Sequence, residues 1–296
     1  MSNLSENDHP NQLLLLCAEH GDLSGLARLL SKGADPRHND SGALVRASYH
    51  GHAECVKLLI PASDPKANHS LALYWAAVNG HAECVTLLIP VSDPKASDSK
   101  ALRHAAMEGR AECVKILIPF SDAKARESSA LFNAARHGHA ECVKILAPIS
   151  DIETIPDANG ESFHALLWAA GNGHAECVRL LIPISAPKHR TQALQDAIDY
   201  GNIECAKLLI GASCSLLKNK KALELALLSG EANILSAMLA HEPGLLDQFD
   251  LAAALDAAVA EDHVDLQSLL LSIIEQQNLD AHLSASNAAT HKPSRL

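Results

Sequence analysis

Aromatic residues are scarce in this chain: 296 residues hold two Trp, three Tyr and four Phe. With so few, the places where they gather are informative. Long apolar runs are missing too, and none approaches the roughly 18 residues that a membrane-spanning helix needs. A surplus of positive charge is absent. Net charge is −11. Residues 1–150 carry 15 Lys and Arg against 16 Asp and Glu, and residues 151–296 carry 9 against 19. That balance argues against nucleic acid and anionic membranes as main partners. The opening MSNLSENDHP lacks the basic-then-apolar order of a secretion leader, so a cytoplasmic protein is expected. Also missing are a Gly-rich phosphate loop, a G-x-S-x-G turn and an H-E-x-x-H helix. No common catalytic signature remains, and no cofactor is expected.

What is present is one phrase, repeated. GHAECVKLLIP spans Gly51–Pro61 and returns at Gly80–Pro90, Gly109–Pro119, Gly138–Pro148 and Gly173–Pro183, with a looser copy at Gly201–Gly211. Gly51, Gly80, Gly109 and Gly138 are each 29 residues apart; Gly173 follows after 35, Gly201 after 28 and Gly230 after 29. A fixed period of about 20–50 residues marks a protein built of stacked repeats.

Each repeat reads as two short helices. In His52–Ile60 only Glu54 and Lys57 need face water, which suits a helix covered on several sides. Pro61 ends it, having no N–H to donate and disfavouring helical geometry at Ile60. Before each Gly runs A-L-x-x-A-A-x-x-G, as in Ala101, Leu102, Ala105, Ala106 and Gly109. Its apolar positions fall on one helical stripe, and its alanines permit close packing. Ser70, Ser99 and Ser128 stand where N-caps are expected. The Gly is placed for a left-handed C-cap.

Helix, G-H-x-E-x-V-K-L-L, then loop closely resembles the ankyrin repeat, as does LSKGADP at Leu30–Pro36. The resemblance covers roughly residues 12–279. It implies an all-α, ankyrin-type α-solenoid of about eight to nine helix-turn-helix repeats. Two departures stand out. The family's T-P-L-H opening is absent: Ala101 and Arg103 occupy the Pro and His positions. The period is about four residues short of 33, so the β-hairpin fingers are expected to shrink to turns such as Ser63–Ala67. Asp151–Ser162, with its Asn159-Gly160 turn signal, reads as one full-length finger. Residues 1–11 and 280–296 are expected to be a disordered lead-in and tail.

Six cysteines, Cys55, Cys84, Cys113, Cys142, Cys177 and Cys205, share one repeat position. Stacked helices lie about 8–10 Å apart, beyond disulfide reach, so these read as small buried hydrophobes. His-x-x-Cys recurs at His52/Cys55, His81/Cys84, His139/Cys142 and His174/Cys177. A metal site needs three or four convergent ligands; each repeat offers two. A metal or redox protein is the alternative reading of these columns. A structural scaffold, self-associating through its alanine-rich C-terminal repeats, is another.

The repeats also serve as an internal alignment. Invariant positions pack; the x positions of the first helix vary freely. In the ankyrin family that helix lines a concave surface that grips other proteins. Carried over here, the resemblance implies a non-enzymatic, monomeric protein-binding module. Its candidate protein-binding residues are Arg46, Tyr49, His50, Trp75, Asn79, His104, Met107, Glu108, Arg136, His137, Trp168, Asn172, Asp199 and Tyr200. Six of the nine aromatics (Tyr49, Tyr74, Trp75, Phe132, Trp168, Tyr200) occupy these variable positions. Tyr49, Arg136, His137 and Tyr200, beside the turn, are expected to be exposed. Trp75 and Trp168 could bind or pack.

Overall fold

Each periodic glycine ends a helix with positive φ: 79° at Gly51, 84° at Gly80, 69° at Gly109 and 78° at Gly138. That geometry turns the chain sharply, and His52 N–H closes the turn on the Ala47 carbonyl at 2.9 Å. The computed structural model describes residues 8–151, 164–212, 230, 232–241 and 250–290. Among them there is no strand. The helix pairs are α1 (Asp8–His20) and α2 (Leu23–Ser31), α3 (His38–His50) and α4 (Ala53–Leu59), and α5 (Ala67–Asn79) and α6 (Ala82–Leu88). Then come α7 (Ala96–Met107) and α8 (Ala111–Leu117), and α9 (Ala125–Arg136) and α10 (Ala140–Leu146). Next are α11 (Ala165–Gly171) and α12 (Ala175–Leu181), and α13 (Pro187–Asp199) and α14 (Ile203–Gly211). Of the eighth pair the described helix is α15 (Ala232–His241). The ninth is α16 (Leu251–Ala260) and α17 (Val264–Thr290).

The chain forms two compact units. In the first, residues 1–169 with 183–185, the first helices α1, α3, α5, α7 and α9 pack in sequence, and the second helices α2, α4, α6, α8 and α10 form a parallel row. In the second, residues 170–182 with 186–296, α12 and α13 pack on α14, α14 on α15, and α17 on both α15 and α16. The core is the stripe expected from the pattern. Ala101, Leu102, Ala105 and Ala106 of α7 are buried, as are Cys113, Val114 and Leu117 of α8. The same positions recur as fully buried leucines, Leu44, Leu73, Leu102 and Leu131 on first helices and Leu59, Leu88, Leu117 and Leu146 on second ones.

The fingers are reduced to turns in the regular block. Asp64 Oδ1 accepts the Lys66 N–H at 3.0 Å, and Asp93 and Asp122 do the same for Lys95 and Lys124. Three residues that follow, Asn68, His69 and Ser70, are left-handed, with φ of 47°, 57° and 60°. The same turn recurs at Asn39–Ser41 and Ser97–Ser99. Left-handed geometry costs an L-residue roughly 1–2 kcal/mol, and the short polar Asn, Asp and Ser found here tolerate it best.

This turn corrects the expected role of the serines. Ser70, Ser99 and Ser128 do not cap their own helices. They are buried, and each hydroxyl accepts a backbone N–H from the next repeat: Asp93, Asp122 and Asp151, all at 2.8 Å. A second bond returns where Ser92 and Ser121 donate to the carbonyls of Pro65 and Pro94. Neighbouring loops are thus fastened without the family's usual threonine and histidine. Ser99→Ala is expected to lower stability by about 1–2 kcal/mol, through the loss of an acceptor for a part-buried N–H. Ser129→Ala, whose hydroxyl reaches only the Ala125 carbonyl of its own helix at 3.5 Å, should cost under about 0.5 kcal/mol. Urea unfolding of both variants checks the difference; equal losses would remove the fastening role.

Two boundaries differ from expectation. The first helix begins at Asp8, four residues before Gln12, and α17 runs on to Thr290 past the expected end at 279. No Pro or Gly interrupts Val264–Thr290, so nothing in that stretch ends the helix. The proposed finger lies, after Asp151, outside the described residues, as does residue 1–7 of the lead-in.

Candidate functional site

The column that invited a metal reading is structural. His52 donates through Nε2 to the Glu19 carbonyl at 2.9 Å, His81 to that of Tyr49 at 2.9 Å, and His139 to that of Met107 at 2.8 Å. Where the column changes residue, the bond survives. Arg110 Nε donates to the Val78 carbonyl at 3.0 Å, and Asn202 Nδ2 to those of Ala170 and Gly171 at 2.9 and 2.7 Å. All three residue types bring an N–H to the same place. Each side chain lies over the glycine of the preceding repeat. A Cβ on Gly51 would meet His81 Nδ1 at 2.4 Å, and one on Gly109 would meet His139 Nδ1 at 2.5 Å.

The cysteines sit beneath. Cys55, Cys84, Cys113, Cys142, Cys177 and Cys205 are all buried, and the cysteines of the described residues are free. Burial pushes the thiols of Cys84, Cys113, Cys142 and Cys205 up to about 11. An ordinary thiol titrates near 9.0, so at pH 8 the thiolate fraction falls about 100-fold. Among the described residues, no three His, Cys, Asp or Glu side chains gather as a metal site. Among the described thiols, alkylation of native protein at pH 8 is expected to reach half-buried Cys17 first and to leave the column unmodified until denaturant is added. Rapid native labelling of the column thiols would contradict the burial. The folded thiols titrate higher than the unfolded ones, so their contribution is complete below about pH 9 and is lost as pH climbs towards 11. Stability should fall across that interval, and Cys84→Ala should lessen the fall.

The variable positions lie on the first helices. In the first unit, Tyr49, His50, Glu108, Arg136, His137 and Trp168 are exposed, and Arg46, Trp75, Asn79, His104 and Met107 are half-buried. In the second unit, Asn172, Asp199 and Tyr200 are exposed, Tyr200 most of all at 73%. The expected exposure beside the turn therefore holds. Trp75 and Trp168 each pack on one side and present surface on the other. Trp75 meets Tyr49 and Tyr74 edge-on, with ring centroids 5.1 and 5.0 Å apart, and Tyr74 meets His104 at 5.3 Å. Trp168 stands against Phe132 at 5.7 Å, with Arg136 over its ring at 4.8 Å. Phe132 is buried beneath it and so belongs to the core.

Asn79 and Arg46 are engaged within the array. Asn79 donates to the Tyr49 carbonyl at 3.1 Å, and Arg46 is ion-paired with Glu19. Arg103, at a variable first-helix position, and Lys100, outside the variable set, both lie beside the aromatic group. Lys100 Nζ sits 4.5 Å from the centre of the Tyr74 ring. Arg103 donates to the carbonyls of Asp98 at 2.8 Å and Ser97 at 3.1 Å. Burial, then Arg103 and Lys100, push the His104 imidazole down.

The fold is matched by known proteins. The sequence profile described as Ankyrin repeats (3 copies) matches residues 14–98, 90–155 and 153–220. The chain belongs to the ankyrin-repeat family, whose members are generally protein-interaction modules. Of the solved structures that match, the human ASB11 ankyrin repeat domain superposes with a TM-score of 0.52 at 22% identity, over 77% of this chain and 97% of that one. No curated relative matches the sequence. Among the described residues, no helix is long and apolar enough to cross a membrane.

Proposed function

We propose that this chain is a non-enzymatic, cytoplasmic, monomeric module that grips a partner protein on its first-helix face. The observation that carries this reading is the linked aromatic group Tyr49, Trp75, Tyr74 and His104, which spans three successive first helices, α3, α5 and α7, at positions that vary between repeats. Trp, Tyr and Arg dominate binding hot spots, at about 2 kcal/mol or more on truncation. Arg136, His137 and Trp168 extend the proposed face in the first unit, and Asn172, Asp199 and Tyr200 take the repeat positions of Arg136 and His137 in the second. The regular columns are spent on packing and inter-repeat bonds, which supports binding over catalysis. The test is capture of a partner by the wild type and by Trp75→Ala/Arg136→Ala/Tyr200→Ala, with circular dichroism unchanged. Capture should be lost in the variant. A partner held equally by both would overturn the face.

Self-association has one observation in its favour. Val264, Leu271, Leu279 and Leu283 are all exposed along α17. A solution mass of one chain at every concentration tested would dispose of this second reading.

A further inference from the structure

We infer that the segment seated on this face is an extended, acidic peptide stretch of the partner, held by Lys100 and Arg103 beside the Tyr74–Trp75 aromatic group. The inference rests on the binding-face reading above and names the chemistry that the face selects.

The chain as a whole is acidic, at −11. The first-helix face in the middle of the first unit is not. Among the described residues its cations Lys100 and Arg103 form no ion pair, whereas Arg126 is taken by Asp98 at 3.6 Å and Arg46 by Glu19. The carboxylate of Glu108 stands on the same helix, one turn beyond His104. Arg103 is fixed in place by two backbone carbonyls, which use Nε and one terminal nitrogen. The one carboxylate that acts on it, Asp98, is ion-paired with Arg126, so its remaining N–H groups form no ion pair among the described residues. A guanidinium fixed in this way loses little freedom on binding. Lys100 is positioned by the Tyr74 ring.

Geometry then narrows the ligand. Residues three apart on a helix lie on one face, with Cβ atoms about 5–6 Å apart. In an extended peptide, alternate side chains point the same way, about 6.5–7 Å apart. A partner strand with Asp or Glu at alternate positions can therefore meet both cations. Its neighbouring apolar side chain would lie on Tyr74 and Trp75, which are half-buried and keep one side open. Fully extended backbone suits the row of first helices, because it crosses from α7 to α5 within a few residues.

Random dodecapeptide display on the full-length chain tests this without presuming the ligand. Peptides with alternating acidic residues and an adjacent apolar one should be enriched. Lys100→Glu/Arg103→Glu, with unchanged circular dichroism, should weaken them by about tenfold or more, and raised salt should weaken them in the wild type. Enriched peptides without acidic bias, lost in Trp75→Ala but kept in the charge-reversed variant, would overturn the inference and leave the binding face standing. No peptide dependent on either variant would overturn both. A 12-nucleotide single strand bound more tightly than the acidic peptides, and released by the same charge reversal, would also overturn it.

Discussion

Leu102→Ala is expected to lower the unfolding free energy by about 2–5 kcal/mol, the range for deleting a fully buried leucine side chain. Leu102 is wholly excluded from solvent on α7, with α5 and α9 packed on either side. The cavity cannot close easily. Its helix is held at one end by the Gly109 turn and at the other by the Ser99 bond to Asp122. The loss should be seen as a lower urea midpoint with a helical spectrum that is normal at zero urea. Leu16→Ala, at a position 46% exposed, should cost less than about 1 kcal/mol. Similar losses in the two variants would mean that the leucine column is not the core. Because each repeat is stabilised by its neighbours, damage at Leu102 should also weaken protection of amide hydrogens in the adjoining pairs before it reaches α1.

Gly51→Ala should cost about 2–3 kcal/mol, for two separable reasons. Alanine at φ 79° pays the left-handed penalty of about 1–2 kcal/mol. Its methyl would also stand 2.4 Å from His81 Nδ1, so the imidazole must move off the Tyr49 carbonyl, losing a bond worth about 0.5–1.5 kcal/mol. Adding His81→Ala to Gly51→Ala relieves the collision but leaves the backbone penalty. The double variant should therefore be more stable than the sum of the two single losses predicts, by about 1 kcal/mol. Strict additivity would show that the ring makes way at no cost. Gly33→Ala is an informative comparison, since φ there is 85° and a Cβ would meet nothing within 4 Å. It should show the conformational penalty alone.

The architecture was legible because glycine and proline punctuate it. Gly51 to Gly138 set the period, Pro61 and its equivalents end the second helices, and the buried stripe of α7 is the one its alanines outline. The site was legible in part. Comparing repeats picked out Tyr49, Trp75, Arg136 and Tyr200 as variable, and exposure agrees. It could not separate Phe132, because the ring that covers it, Trp168, is 36 residues away in the chain. The serines misled for a similar reason. A Ser ahead of a helix fits an N-cap, and its real partner is an N–H 23 residues further on. Arg103 falls on a variable first-helix position, but Lys100 does not, since a lysine ahead of the A-L-x-x-A-A pattern reads as solvated surface. What sets them apart is their placement on the Tyr74 ring and on the Ser97 and Asp98 carbonyls, which only the fold reveals. The histidine column was legible as structural, because Arg110 and Asn202 replace His without breaking the pattern, and all three residue types can donate an N–H.

The serine fastening has an evolutionary reading. Ser41 bonds the N–H of Asp64, Ser70 that of Asp93 and Ser99 that of Asp122, with the same atoms at the same 2.8 Å. The joint is therefore interchangeable. Excising the 29 residues Asp64–Ser92 would join Ser63 to Asp93, recreate the sequence Ser-Asp-Pro-Lys, and bring the Asp93 N–H to Ser41. Duplicating the same stretch would insert a unit with both of its joints already complementary. Recombination between neighbouring copies can therefore lengthen or shorten the array in whole steps, while the variable first-helix positions are reshuffled as cassettes.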